Sequence, residues 1–83
     1  MSAVAAFKRA LEGSCRIIKW EPSDQQLKEI ARRFVAKRPA TLGAATVIVA
    51  DVVPATLFLA TEGLDNSDLR ALLALAGMAA TQG

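Results

Sequence analysis

Along the first third of the chain, apolar residues recur at intervals of three and four. Val4, Phe7 and Leu11 form one such stripe within AVAAFKRALE (3–12), the spacing of neighbours on a single helix face. Gly13 follows where a left-handed cap is wanted, so the spacing predicts a helix over 3–12 stopped by Gly13. The period then shortens. Cys15-Arg16-Ile17-Ile18-Lys19-Trp20 is rich in β-branched and aromatic residues and lies between Gly13-Ser14 and Glu21-Pro22, the mark of a short strand. The helical period returns with Leu27, Ile30, Ala31, Phe34 and Val35. Ser23 stands at an N-cap with Gln26 three residues on, in capping-box position. Pro39 closes a helix predicted over 23–38.

The next stretch changes character. Six of the eight residues in Thr46-Val47-Ile48-Val49-Ala50-Asp51-Val52-Val53 are β-branched, and the run is apolar on both alternating faces. That is the expectation for a strand covered on both sides. Thr56-Leu57-Phe58-Leu59-Ala60-Thr61 then reads either as the second arm of a hairpin turning at Pro54-Ala55 or as a short helix starting at Pro54. After Glu62-Gly63, Asn66 or Ser67 caps a last helix carrying Leu69, Leu72, Leu73, Leu75, Ala76 and Met78. These elements predict a small α+β fold, one domain over 1–83, with about three helices, two or three short strands and residues 46–60 in its core. The alternative is all-α and helix-turn-helix-like, with that run packed as two short helices.

Composition narrows the chemistry. Apolar residues make up 53% of the 83 residues and charged residues 22%, which excludes a disordered chain. A chain so small and so apolar is expected to offer a face to a partner or to a second copy. Histidine is absent, which removes the commonest general base and metal ligand. Cys15 is the only cysteine, so there is no internal disulfide and no cysteine-rich zinc site. It reads as a small buried hydrophobe, with a reactive thiol favoured only if Arg16 beside it lowers its pKa. A lone unpaired cysteine fits a reducing compartment, and the expected location is the cytoplasm. The start MSAVAAFKRALEG does not read as a secretory signal, because Lys8 and Arg9 interrupt it early.

The net charge of +2 conceals a division. Residues 1–40 hold nine Lys/Arg against four acids, and residues 41–83 hold only Arg70 against Asp51, Glu62, Asp65 and Asp68. A basic half suits nucleic acid or an acidic protein surface. Much of the positive charge falls on the predicted 23–38 helix, as Lys28, Arg32, Arg33, Lys37 and Arg38, crowded toward the end that the helix dipole favours for cations. The segment Leu27-Lys28-Glu29-Ile30-Ala31-Arg32-Arg33-Phe34, followed by Arg38-Pro39-Ala40-Thr41, resembles the first helix and turn of helix-turn-helix regulators. That resemblance implies a recognition helix immediately after it. Base edges are read by Arg, Asn, Gln, Ser or Lys, whereas Leu42-Gly43-Ala44-Ala45-Thr46-Val47-Ile48-Val49 supplies almost no such group.

Other motifs favour plain structural roles. Ala40 to Ala60 is long enough to span a membrane with only Asp51 charged. Asp51 and Pro54 near its centre argue against this, an ionised carboxylate there costing roughly 3 kcal/mol on insertion scales. Gly63-Leu64-Asp65-Asn66-Ser67-Asp68-Leu69 is similar to the Asp-Ser-Leu attachment site of acyl carrier proteins, but Asp68 separates Ser67 from Leu69, and Ser67 is more simply a helix cap. Asp51 is the one acid set in an apolar run, and alone it makes no acid–base pair. No glycine-rich phosphate loop and no metal-ligand spacing occur. The expectation is therefore a non-enzyme, with no catalytic residue, no metal and no cofactor.

Trp20 and Phe34 remain, each either core or an aromatic anchor beside basic residues. The sequence thus predicts a small regulatory or adaptor protein that binds an acidic protein surface through Arg32, Arg33, Lys37 and Arg38, with Arg16, Lys19 and Trp20 as an extension. The alternative is a dimeric helix-turn-helix DNA-binding regulator. Self-association through Leu69, Leu72, Leu73 and Ala76 is compatible with both, and no membrane partner is expected.

Overall fold

The computed structural model describes residues 2–59 and 69–81. Among these residues, four helices and one two-stranded antiparallel sheet follow in the order α1 (Ala3–Ser14), β1 (Ile17–Lys19), α2 (Asp24–Lys37), α3 (Leu42–Val52), β2 (Leu57–Phe58) and α4 (Leu69–Thr81). The α+β class holds, with one more helix than the pattern predicts.

α1 starts at Ser2, whose side chain accepts from the Ala5 amide, and buries Val4, Phe7 and Leu11. It runs through Gly13 rather than stopping there. The left-handed residue is Arg16, at φ 54°, and its carbonyl accepts the Leu59 amide at 2.8 Å. α2 begins with the capping box expected from the sequence: Ser23 Oγ accepts the Gln26 amide while Gln26 Oε1 accepts the Ser23 amide. The same Gln26 side chain donates through Nε2 to the Val52 carbonyl at 3.4 Å. That oxygen is one of those a helix C-terminus leaves without an intrahelical donor, so one side chain both caps α2 and ties down the end of α3.

The strand expected over 46–53 is a helix, and the reason is packing. Leu42, Ala45, Thr46 and Val49 are all buried and lie three and four apart, which is a helical stripe. Thr41 caps it by accepting the Ala44 amide, and the Thr46 hydroxyl donates to the Gly43 carbonyl at 2.7 Å. β-Branched residues cost roughly 0.5 kcal/mol each in a helix. Burying a valine or isoleucine side chain returns about 1.5–3 kcal/mol, so tertiary burial of Ile48 and Val49 outweighs local preference. Neither reading of the segment after Val53, a hairpin turning at Pro54-Ala55 or a short helix from Pro54, forms over residues 54–59. Thr56 closes a turn onto the Val53 carbonyl with both its amide and its hydroxyl, and Leu57–Phe58 pairs with β1 instead. Ile17 lies opposite Phe58 and Lys19 opposite Leu57, with an irregularity between the two pairs.

The core is one cluster. Phe7 and Phe34 are fully buried and meet edge to face with ring centroids 5.6 Å apart. Leu11, Ile30, Leu42, Val49 and Leu72 close around them. α4 lies against α2 and α1, burying Leu69, Leu72, Ala76 and Ala79 while Met78 faces out. Of the residues the sequence offered for self-association, the chain buries Leu69, Leu72 and Ala76 internally and leaves Leu73 half-buried. The caps expected at Asn66 or Ser67 lie outside the described residues. None of the described helices is long and apolar enough to cross a membrane.

Candidate functional site

α2 and α3 are joined by the short connection 38–41, the layout that the helix-turn-helix resemblance implies. The outer face of α3 offers little to a base edge. Gly43, Ala44, Val47 and Asp51 are exposed there, Val47 by 59%. No donor suited to a base edge stands among them, and the one charge is negative. Asp51, set in an apolar run in the sequence, is exposed because it faces away from the core.

The basic residues of α2 spread around the helix: Arg33 and Lys37, four apart, share a face, while Arg32 lies about 100° from Arg33. Arg32 and Arg33 both close on Glu29. Arg33 Nε donates to Oε2 at 2.9 Å, and Arg32 Nε and Nη2 donate to Oε1 at 3.2 and 2.8 Å. The hydrogen bond from Arg33 first, and then that from Arg32, holds the Glu29 carboxyl below its ordinary value of 4.5. Two of the four predicted α2 contact residues thus share one carboxylate, and the trio keeps a net charge of +1. At about 100° per residue, Arg32 and Lys37 also lie about 140° apart around the helix. Lys37 occupies the last turn, where the dipole favours it.

Arg38 differs from the rest. It caps α2 in the left-handed region, at φ 46° and ψ 69°, with its amide donating to the Phe34 carbonyl. L-residues pay roughly 1–2 kcal/mol for that conformation, and the following Pro39 restricts it further. Arg38 lines a groove of about 670 Å³ between the end of α2 and α4. Val35, Pro39 and Leu73 supply apolar lining, and Arg70 stands on the α4 side. Among the described residues neither arginine has an acidic partner. Arg70 was legible in the sequence as the only base of the C-terminal half. Its pairing with Arg38 was not, since it depends on how α4 returns along α2.

The extension Arg16, Lys19 and Trp20 lies on another part of the molecule. Trp20 is half-buried, and its Nε1 donates to Glu12 Oε2 at 2.8 Å, an oxygen that Lys8 also approaches at 3.4 Å. The indole is therefore fastened to α1. Lys19 and Leu57 border it in a shallow hollow, next to a sheet face on which Ile18, Leu57 and Leu59 are exposed. Cys15 is fully buried, and burial pushes its thiol up from 9.0 to about 11. The neighbouring Arg16 is exposed and does not reverse that effect.

Comparison of the chain with known protein families, with curated proteins and with solved structures found no match.

Proposed function

We propose that the chain is a small non-enzymatic regulatory or adaptor protein that binds an acidic protein surface. The observation that carries this reading is the uncompensated charge at the α2–α4 junction, where Arg38 and Arg70 flank exposed apolar surface without an acidic partner among the described residues. The contact surface centres on Lys37, Arg38 and Arg70, and Arg32 and Arg33 contribute at its margin once Glu29 is displaced or shared. Arginine is among the residues enriched at binding hot spots. The lack of histidine and the sealing of the lone thiol support a binding role over a catalytic one. The test is capture of partners by the immobilised protein and by its K37E/R38E and R33E/K37E variants. Partners that remain bound to both charge-reversed forms would remove this reading.

A second reading rests on the α2–turn–α3 layout, with the protein as a dimeric DNA-binding regulator. With an apolar and acidic outer face on α3, its affinity would come from phosphate contacts by Lys37 and Arg38 and not from base readout. Fluorescence anisotropy of a labelled random duplex at about 50 and about 200 mM salt separates the two, because phosphate contacts weaken steeply over that range. No binding at the lower salt removes the DNA reading.

A further inference from the structure

The α2–α4 groove combines two surfaces that usually call for different ligands. Phe34 and Leu69 are buried beside it, while Val35, at 46% exposure, and Leu73 offer it apolar surface. Each wall adds one arginine, Arg38 from α2 and Arg70 from α4. A phosphate or other small anion would satisfy the guanidinium groups and leave the apolar surface wet. A wholly apolar ligand would strip water from two charges and give nothing back, which is costly. The occupant that satisfies both surfaces is apolar along one side and acidic at its edges. The groove is open and walled by helices, which suits a segment laid along it.

We propose that this groove takes an acidic amphipathic segment of a partner protein, with large aliphatic side chains against Val35 and Leu73 and carboxylates on Arg38 and Arg70. The backbone of Arg38 supports this independently of the charge. A left-handed helix cap is normally glycine or asparagine, and an arginine held there at a conformational cost is the kind of outlier that points to function. The proposal rests on the reading of an acidic protein partner and gives that partner's contact its place and pattern.

The probe is a fluorescein-labelled leucine/glutamate peptide of about 16 residues, long enough to support a helix when bound, with leucines at helical spacing. Its controls are a serine/glutamate peptide of equal charge and a leucine/lysine peptide of equal apolarity. The expected result is saturable binding of the first, weakened about tenfold or more by either control pattern and by V35E or R38E/R70E, a loss of about 1.4 kcal/mol. Amide shifts on binding should fall at Val35, Arg38, Leu73 and Gly77. R38G keeps the fold while removing one guanidinium, so weaker binding at an unchanged or raised Tm excludes unfolding as the cause.

Three outcomes overturn the proposal. Equal binding of the serine/glutamate peptide with shifts centred on Arg32 and Arg33 sinks the groove and leaves the acidic-partner reading standing. Shifts in the groove from decanoate but none from the leucine/glutamate peptide assign it to a small amphiphile. Peptide binding that appears only in E62Q/D65N/D68N and is absent from the parent means that the chain's own acids already answer the two arginines and the groove takes no partner segment.

Discussion

Arg38 carries a conformational cost that the rest of α2 does not share. Its φ of 46° at the C-cap is open to glycine without the clash an L side chain meets. Arg38→Gly should therefore stabilise the fold by roughly 1 kcal/mol, read as a Tm several degrees higher. Glu29 makes a second residue-level test. Its carboxyl is held down first by Arg33 and then by Arg32, so a carboxyl titration by NMR should show a midpoint below the ordinary value. Arg33→Gln should raise that midpoint more than Arg32→Gln does. A depressed carboxyl stabilises the fold above its unfolded pKa and loses that contribution as pH falls through the folded value, so the two substitutions matter least in acid.

Cys15 runs in the opposite direction. Its thiol is raised from 9.0 to about 11 by burial, so the neutral form is the one that folding favours. Below about pH 9 the thiol is neutral in both states and the contribution is complete. Between there and about pH 11 the unfolded chain releases a proton that the folded chain keeps, and stability falls by about 2 kcal/mol. Denaturant unfolding at about pH 8 and about pH 10.5 should show a smaller loss in Cys15→Ala than in the parent. An equal loss in both would remove the linkage.

At the scale of elements, α2 and α3 are joined by more than apolar contact. Gln26 uses its oxygen in the capping box and its amide nitrogen on the Val52 carbonyl. Glutamate would serve the box equally well but would turn an acceptor toward that carbonyl. Gln26→Glu should cost about 1 kcal/mol, whereas a residue that only capped α2 would show no loss. The same view explains α3. Its β-branched run has the wrong local preference, yet Thr41 caps it and Leu42, Ala45, Thr46 and Val49 reach the core only in a helix. With Gly43, Ala44 and Val47 facing out, the helix has almost no polar side, which hid its period.

For the whole molecule, the decisive contact is α4 against α2 and α1. Leu72 is buried within the chain, so Leu72→Ala should cost about 2–5 kcal/mol as a core truncation. The accompanying fall in Tm should not depend on protein concentration. A concentration-dependent Tm would instead place Leu72 in an interface between copies. The same packing carries Arg38 to the groove it shares with Arg70, while Arg32 and Arg33 stay on Glu29 through pairing within α2. The pairing of Glu29 with Arg32 and Arg33 is legible in their spacing, whereas the groove is not, because it depends on an element more than thirty residues away in sequence.

The sequence by itself determined what is local. The stripe Val4, Phe7 and Leu11, the box of Ser23 and Gln26, and the apolar period through Phe34 act within a few turns of chain, and each element appears where its pattern lies. The absence of histidine and the solitary cysteine are read from the sequence in the same way. Tertiary structure decided the rest. Residues 42–52 are helical because burial energy exceeds their strand preference, and Leu57–Phe58 pairs with β1 because the intervening helices bring two distant segments together. Arg38 and Arg70 become neighbours on one groove only through the return of α4. Local patterns choose how a segment folds, whereas packing chooses what it meets, and the candidate site is made of meetings.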